Sequence, residues 1–327
     1  IRSLAEENGI RWVRDRATRI NPADRTVELA GGDTLPYDVL SVNTGSSIAA
    51  TVATDADPAA DGPRMLPVKP IARMLEARRL LEHADPERQT RVVVVGGGPA
   101  AVEAAANVRR LVRERSAVQD QATAIDLIAG RKVLPGFPPG AERRVVRALH
   151  EVGVRVRLGD HVRRVGSEGV VTTKGPEPAD LVLLATGVVP SRLFHDSQMP
   201  VGSDGSMAVD EYLHCLGHRE VFGAGDCIWY TPRPLPRAGV FAVRQSPVLV
   251  HNVRAALNGR FDQMKRFRPG GAYLLLLNLG DGTALFWRRL LGVHLVYRSR
   301  GAWRLKDRID RAFMHRFGSE ADRGNEH

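Results

Sequence analysis

The sequence has few cysteines and few aromatic residues for its 327 positions. Its two cysteines, Cys215 and Cys227, supply neither a disulfide framework nor a set of metal ligands, which favours a reducing compartment and no metal site. Aromatic residues make up 6% of the chain and are not interleaved with a basic run, so nucleic-acid binding is not expected. No apolar run reaches the roughly eighteen residues of a membrane span, and no signal peptide is visible. We therefore expect a cytoplasmic protein.

The composition is that of a globular protein with a basic surface. Hydrophobic residues are 43% and charged residues 26% of the chain, whose length is sufficient for two or three domains. The net charge of +10 favours anionic partners such as dinucleotide phosphates or acidic lipids. Because the first ten residues resemble the end of a helix that runs into a strand, we expect the sequence to begin inside a domain.

Short apolar segments alternate with turn residues at the start of the chain. Residues 11–13, 26–29 and 39–42 are strand-like, which predicts a small antiparallel unit. Residues 70–83 have apolar positions at helical spacing and predict a connecting helix. From residue 91 onward, strands at 92–95, 124–128, 154–158 and 181–185 surround an Ala-rich helix, a pattern typical of a βαβ domain.

The strongest motif is a glycine-rich turn between a four-valine strand and that Ala-rich helix. Gly96 permits the tight turn, Gly98 lets backbone N–H groups approach a pyrophosphate, and Ala101 keeps helix and strand close. The helix N-terminus adds affinity for anions. This pattern predicts that a dinucleotide binds here.

The choice between the two nicotinamide dinucleotides stays open. The second strand ends in Ala129, Gly130, Arg131 and Lys132, where an NAD-selective site usually has an acid for the ribose hydroxyl. Arg131 is a candidate ligand of a 2′-phosphate, and the alternative is that both cations are solvated loop residues.

Two further segments share one pattern, an acid, an apolar strand and a Thr-Gly exit. They end in Thr44-Gly45 and in Thr186-Gly187. Glycine at each exit allows a close backbone approach, so the pattern predicts strands that return the chain to a cofactor edge where it crosses between domains.

A fourth motif, at residues 220–227, is a strand that leads into a Gly-x-Gly-Asp turn. The carboxylate of Asp226 is suited to accept hydrogen bonds from the hydroxyls of a flavin's ribityl chain, and Gly225 leaves room for the ribityl chain. The alternative is an ordinary hairpin turn.

Taken in chain order, these motifs resemble the pyridine nucleotide-disulfide oxidoreductase superfamily over nearly the whole chain. Residues 239–247 and 303–307 are similar, more narrowly, to the type II NADH dehydrogenase-like branch, in particular to the module found fused to selenide, water dikinase. The resemblance implies an α/β fold with two Rossmann-like three-layer domains, in which the NAD(P)H domain is inserted in the FAD domain, plus a small α+β C-terminal region.

The resemblance also implies domain boundaries. Residues 1–70 and 191–262 are expected to form the FAD-binding domain, residues 71–89 a connector helix, residues 90–190 the NAD(P)H-binding domain, and residues 263–327 the C-terminal region. The first glycine-rich motif of the family, which holds the FAD pyrophosphate, is expected upstream of Ile1.

Several residues acquire roles from the resemblance. Asp226 is expected on FAD, and the helix after Ala238 is expected to point its N-terminus at the isoalloxazine. Glu103 matches the acid that the family places near the nicotinamide; its alternative role is an exposed helix glutamate near the positive helix end. Gln245 is a candidate to line the acceptor site, and its alternative is a surface helix residue.

The function that these residues imply is an FAD-dependent oxidoreductase that passes hydride from NAD(P)H to flavin and then to a quinone or another small acceptor. A thiol or disulfide reductase is one alternative, although the two cysteines lie twelve positions apart and do not resemble a redox pair. A redox-silent NAD(P)-binding regulatory module attached to a selenophosphate synthetase is another. A fusion to selenide, water dikinase and a homodimer are further expectations.

The last predicted helix, at residues 303–317, is basic and amphipathic. Its apolar stripe consists of Leu305, Ile309, Ala312, Phe313 and Phe317. One hypothesis is that the stripe rests on the inner face of the cytoplasmic membrane while the cations meet anionic lipid. The other is that it packs on the strands predicted at residues 273–277 and 286–296.

Overall fold

The computed structural model describes residues 2–49, 52–54, 62–85, 88–271 and 273–315. The described residues divide into two compact units, which we call the first unit (residues 2–47 and 189–271) and the second unit (the described residues of 48–188, and 273–315). The α-helices of the described residues are α1 Arg2–Glu7, α2 Ala72–Glu82, α3 Pro99–Arg115, α4 Ala117–Ala122, α5 Pro139–Glu151, α6 Leu193–Asp196, α7 Gly239–Leu257 and α8 Arg300–Met314.

The strands belong to several sheets. In chain order they are β1 Ala17–Asn21, β2 Thr26–Leu29, β3 Thr34–Pro36, β4 Leu40–Val42, β5 Ser46–Ile48, β6 Ala53–Thr54, β7 Arg64–Pro67, β8 Thr90–Val95, β9 Thr123–Ile128, β10 Val154–Arg157, β11 Val162–Gly166, β12 Gly169–Thr172, β13 Gly175–Pro178, β14 Leu181–Leu184, β15 Val188–Pro190, β16 Met207–Val209, β17 His214–Cys215, β18 His218–Gly223, β19 Ile228–Tyr230, β20 Leu274–Asn278, β21 Ala284–Leu290 and β22 Val293–Ser299.

The second unit is built on a parallel five-stranded sheet in the order β10-β9-β8-β14-β7. The four valines of β8 and all four residues of β14 are buried, as continuous apolar runs are in parallel sheets covered on both faces. Helices α3 and α5 contribute alanines and valines to the same core. The strands predicted from residue 91 onward are confirmed, and with them the α/β class.

An antiparallel sheet, β11-β12-β13, interrupts this parallel pattern between β10 and β14, and β6 pairs with β11. Its residues Val165 and Val170 pack with Val93 and Val95 on one face of the parallel sheet. No strand was predicted at these residues, because their short apolar segments are interrupted by glycine, proline and charged residues and resemble a loop.

The C-terminal sheet, β20-β21-β22, packs on the same parallel core. Leu277, Leu279 and Leu285 are buried in one hydrophobic cluster with the residues of α3. The turn at Gly280 has a φ of +73° and comes so close to α3 that an added Cβ would lie 2.2 Å from the Ala106 carbonyl oxygen. Only glycine therefore fits this contact.

The first unit contains a five-stranded sheet in the order β19-β16-β17-β18-β4 and a separate antiparallel sheet, β1-β2-β3. The predicted strand at residues 11–13 is wrong: these residues are irregular, Trp12 is 44% exposed, and the strand is β1. The strand predicted at residues 39–42 is β4, but it pairs in parallel with β18 and is not part of the antiparallel sheet. An apolar burst indicates a strand without indicating its partner, which is set by long-range packing.

The helices predicted at residues 70–83, after Ala238 and at residues 303–317 correspond to α2, α7 and α8. The Ser299 hydroxyl caps α8 by accepting a hydrogen bond from the Ala302 N–H at 3.0 Å. Residue 317, the last of the predicted stripe, lies outside the described residues. In the part of the chain that the structure describes, no helix is both long and apolar enough to cross a membrane.

Candidate functional site: two cofactor edges

The dinucleotide edge of the second unit lies where β8 and β14 end. These strands are parallel and pair Val95 with Leu184, so the turn after β8 and the Thr-Gly exit after β14 leave the sheet at the same edge. The Ala185 N–H donates to the Val95 carbonyl oxygen at 2.8 Å. The structure thus brings two sequence motifs together that are almost ninety positions apart.

Gly96 and Gly98 of the first motif have different structural roles. Gly96 has a φ of +135°, and an added Cβ would lie 2.2 Å from the Ala185 carbonyl oxygen. Gly98 has an ordinary φ of −78°, and no atom of the described residues lies within 4 Å of its added Cβ. Gly96 is therefore required by the protein itself, whereas Gly98 keeps space open in front of α3.

The N-terminus of α3 is free to bind an anion. No side chain caps it, Pro99 begins it, and the Gly98 and Ala100 N–H groups have no acceptor among the described residues. Ala101 is fully buried, as the close approach of helix and strand requires. Unpaired N–H groups at the positive end of a 17-residue helix fit the pyrophosphate of NAD(P)H.

The end of β9 borders this edge. Arg131 and Lys132 are exposed, whereas Ala129 is fully buried and donates its N–H to the Arg157 carbonyl oxygen at 2.9 Å. A charge introduced at Ala129 would lie in the core, so that position is unsuited to reading the ribose. The exposed Arg131 and Lys132 stay candidates for contact with a 2′-phosphate, and the alternative of two solvated loop cations stays open.

The second Thr-Gly exit is held by main-chain contacts. The Thr186 hydroxyl donates to the Ala49 carbonyl oxygen at 3.4 Å, and the Ala49 N–H donates to the Gly187 carbonyl oxygen at 3.2 Å. Gly187 has a φ of +115° with open space around its Cβ position. The exit is therefore a left-handed turn with room for a ligand beside it.

Glu103 lies one turn into α3 and faces the C-terminal sheet. Its Oε1 accepts a hydrogen bond from the Asn278 N–H at 2.9 Å and lies 3.9 Å from Lys306 Nζ of α8. Burial raises the pKa of the Glu103 carboxyl, while the Asn278 hydrogen bond and the Lys306 charge oppose that effect. Glu103 thus joins the dinucleotide helix to β20, a contact that the sequence did not predict.

The second cofactor edge, in the first unit, repeats this arrangement. Strands β4 and β18 are parallel and pair Val42 with Gly223, so Thr44-Gly45 and Gly225-Asp226 leave the sheet together. Gly45 and Gly225 have φ values of +67° and +80°. Both turns therefore need the left-handed region that glycine adopts most easily.

The Asp226 side chain is oriented by its neighbours. The Ser46 hydroxyl donates to Asp226 Oδ2 at 2.9 Å, and Arg237 Nε donates to the Asp226 carbonyl oxygen at 3.2 Å. Arg237 is held in turn by Asp204 and by the Ser206 hydroxyl. Ser46 and Arg237 were missed by sequence reasoning because neither belongs to a local motif.

Gln245 supports this turn from α7. Its side chain is 1% exposed, and its Oε1 accepts the Gly225 N–H at 2.7 Å. The alternative of a surface helix residue is therefore wrong. The N-terminus of α7 has no side-chain cap, and the N–H groups of Gly239 and Val240 have no acceptor among the described residues. A carboxylate beside an uncapped helix end fits the ribityl and ring portions of a flavin.

Both cysteines are reduced and buried. Burial raises the pKa of the Cys215 thiol to about 12. Burial also raises the pKa of the Cys227 thiol, whose sulfur lies 3.2 Å from the Ala224 carbonyl oxygen. Because the thiolate is the reactive form, neither cysteine is suited to attack a disulfide.

Two glycine turns, each beside a Thr-Gly exit at the carboxyl edge of parallel strands, define the class: an oxidoreductase that uses FAD and NAD(P)H. The chain belongs to the pyridine nucleotide-disulphide oxidoreductase family, whose model matches residues 2–254. This confirms the resemblance expected from the sequence, and with it both cofactors.

Similar proteins agree with this assignment. Ferroptosis suppressor protein 1 of Xenopus tropicalis is 28% identical over 304 residues, which cover 87% of this chain and 74% of the frog protein. Internal alternative NAD(P)H-ubiquinone oxidoreductase A1 of Arabidopsis thaliana is 27% identical over 200 residues, covering 58% of this chain and 39% of the plant protein. The crystal structure of a FAD-dependent pyridine nucleotide-disulphide oxidoreductase from Desulfovibrio vulgaris shares the fold, with a TM-score of 0.64, 24% identity, and coverage of 88% of this chain and 69% of that one.

Proposed function

We propose that this protein passes hydride from NAD(P)H to FAD and delivers the electrons to a quinone. One observation carries the proposal. Each unit has a glycine turn beside a Thr-Gly exit at the carboxyl edge of parallel strands, and both cysteines are buried. The plant relative is named for NAD(P)H and ubiquinone, which supports a quinone as the acceptor.

The residues of the second unit would hold NAD(P)H. The pyrophosphate would approach the Gly98 and Ala100 N–H groups, and Arg131 would lie on the side of the adenosine ribose. Glu103 would hold α3 against β20 and in this way keep the helix in position near the nicotinamide. Thr186 and Gly187 would border the same edge.

The residues of the first unit would hold the flavin. Asp226 would accept hydrogen bonds from ribityl hydroxyls, with Ser46 and Arg237 keeping its position. Thr44 and Gly45 would leave room beside it. Gln245 would hold the Gly225 turn and, through it, one side of the acceptor site. FAD, when bound, supplies the chemistry that accepts a hydride and releases electrons to an acceptor.

The buried thiols favour direct delivery to a small acceptor over a thiol relay. A disulfide reductase of this family needs a closely spaced redox pair, and Cys215 and Cys227 are twelve residues apart with raised thiol pKa values. The electrons would therefore leave the flavin site without a protein thiol.

Where the protein acts is a second part of the proposal. The apolar stripe of α8 is half exposed, with Leu305 at 39%, Ile309 at 47% and Phe313 at 41%. Only Ala302 of this helix is buried among the described residues. Helix α8 lies against β20 and β21, as the alternative to membrane contact expects. The part of its stripe that stays exposed supports peripheral contact with the inner face of the cytoplasmic membrane. Fusion to selenide, water dikinase and homodimer formation stay predictions.

Anaerobic spectroscopy of the flavin-loaded protein tests this function. NADH or NADPH should bleach the visible flavin absorbance, and a water-soluble short-chain quinone should restore it. The Cys215→Ala, Cys227→Ala double variant should do the same at the wild-type rate. If NAD(P)H does not bleach the flavin, the protein is a redox-silent binding module and the proposed reaction is wrong. Restoration by a disulfide substrate, lost in the double variant, would instead show a thiol reductase.

A further inference from the structure

The hairpin of β21 and β22 ends in an apolar turn. Leu291 is 96% exposed, and its neighbours Leu290 and Val293 are 48% and 61% exposed. Leu291 has a φ of +47° and Gly292 a φ of +83°, a left-handed pair that Asn-Gly fills best in two-residue hairpins. A leucine here is unfavourable for the backbone and exposed to water. The requirements of the fold do not explain this residue.

The base of the hairpin is held firmly while its end projects from the core. Trp287, which is 8% exposed, packs edge-on against Phe137 and Tyr273 with ring centroids 5.0 and 5.6 Å away. Its indole N–H donates to His294 Nδ1 at 3.1 Å across the strand pair. The pairing continues to Leu290 opposite Val293, although residues 288–295 are all exposed. The apolar end is therefore part of an ordered ribbon.

The exposed apolar side chains continue down one face of this ribbon. Successive residues of a strand point to opposite faces, and cross-strand partners share a face. Leu290 pairs with Val293, Arg288 with Leu295, and Phe286 with Tyr297. We call the following exposed residues the hairpin patch: Leu290, Leu291, Val293, Leu295 and Tyr297.

Arg288 and Arg289 stand next to the apolar end of the hairpin. Residues 284–299 contain three arginines and no aspartate or glutamate, and the third, Arg298, is paired with Glu151 and Asp281. At about 3.3 Å per residue, Arg289 and Arg288 stand about 7 and 10 Å behind Leu291. Apolar faces of peripheral proteins enter the headgroup boundary by about 5–10 Å, so this spacing places both guanidinium groups at the level of lipid phosphates.

We propose that the turn end of the hairpin patch inserts into the surface of a membrane that contains anionic lipid. Leu290, Leu291 and Val293 enter the acyl boundary, and Arg288 and Arg289 contact phosphates. This assigns the deepest contact to a strand turn in place of α8. The two arginines behind the apolar end favour the anionic phosphates of a bilayer surface.

Vesicle binding by the full flavin-loaded chain tests this assignment. The probe is a set of phosphatidylcholine vesicles with and without phosphatidylglycerol, and the measurement is cosedimentation across a salt series. Leu291→Asn should weaken binding to the anionic vesicles by about tenfold or more, because one leucine no longer enters the apolar region. Its melting temperature should hold or rise, since asparagine accepts the left-handed conformation.

Two further variants separate the contributions. Arg288→Gln and Arg289→Gln should each weaken binding by about fivefold at low salt and flatten the salt dependence. Leu257→Asn is the matched control, because Leu257 is an equally apolar residue, 60% exposed, at the end of α7 in the first unit. It should leave vesicle binding unchanged.

Three results would overturn the assignment. One is wild-type protein that ignores anionic vesicles at low salt. Another is Leu291→Asn protein that binds them as well as wild type does. The last is a dimer in vesicle-free solution that Leu291→Asn dissociates, which would make the hairpin patch a contact between two copies. Bleaching of flavin by NAD(P)H in solution does not depend on any of these, so the test is independent of the proposed reaction.

Discussion

Replacing Gly98 with valine should remove NAD(P)H binding while leaving the protein folded. This position has an ordinary φ of −78°, and in the described part of the chain no atom lies within 4 Å of an added Cβ. The valine side chain would therefore occupy the open space in front of α3 without displacing any described residue. That space is where a pyrophosphate must approach the Gly98 and Ala100 N–H groups.

The magnitude follows from the bonds that are lost. A hydrogen bond to a charged group contributes about 1.5–3 kcal/mol, so losing two costs about 3 kcal/mol or more. This corresponds to a KM for NAD(P)H at least about 100-fold higher. Valine is a poorer residue than glycine at a helix N-cap by about 1 kcal/mol, which lowers the melting temperature by only about 2–4 °C.

Two other glycines make the test sharper. Gly96→Ala should fail to fold or melt far lower, because its φ is +135° and its Cβ would lie 2.2 Å from the Ala185 carbonyl oxygen. Gly166→Val, whose Cβ would meet only the end of the Arg164 side chain at 3.7 Å, is a control that should keep the wild-type KM.

The assay is anaerobic stopped-flow bleaching of flavin against NAD(P)H concentration, with thermal unfolding measured on the same samples. Photochemical reduction of the flavin should be unchanged in Gly98→Val, because that route needs no nicotinamide. A wild-type KM in folded Gly98→Val protein would refute the placement of the pyrophosphate at α3.

Further predictions address the other candidate residues. Arg131→Gln should raise the KM for NADPH about tenfold and leave that for NADH unchanged, by steady-state kinetics, if the guanidinium meets the 2′-phosphate. Asp226→Ala should lower the flavin content of purified protein, measured by absorbance. Burial raises the pKa of the Glu103 carboxyl in the folded protein above its value in the unfolded chain. The melting temperature should therefore fall as the pH rises from the unfolded-state pKa to the folded-state pKa, and Glu103→Gln should remove that fall. Finally, neither cysteine should react with a thiol reagent until the protein is unfolded.

The sequence predicted what depends on local patterns. The valine run of β8, the turn at Gly96 and the start of α3 form one continuous segment, so spacing alone was enough to recognise them. The Thr-Gly exits were predicted to return the chain to a cofactor edge, and parallel pairing places them beside the glycine turns. Both cases depend on strands whose carboxyl ends meet at one edge.

Residues held by long-range contacts were beyond the sequence. Arg237 supports Asp226 through the main chain, and Ser46 donates to it across 180 positions. Gln245 was expected either to line the acceptor site or to lie on the surface, yet it is buried against the Gly225 N–H. The spacing of apolar residues along α7 does not show which of these roles a glutamine on that helix has.

The position of Glu103 in the sequence and its contact in the structure point to different roles. Its position after the glycine turn suggested a role near the nicotinamide, whereas the structure shows its carboxylate bonded to the Asn278 N–H of the C-terminal sheet. Both statements are compatible, because a helix that presents its N-terminus to a dinucleotide must be fixed along its length. The close contact of Gly280 with Ala106 lies on the next turn of the same helix. The C-terminal sheet therefore holds α3 in place through β20 and the Gly280 turn, and the hairpin that we propose as the membrane contact belongs to the same sheet.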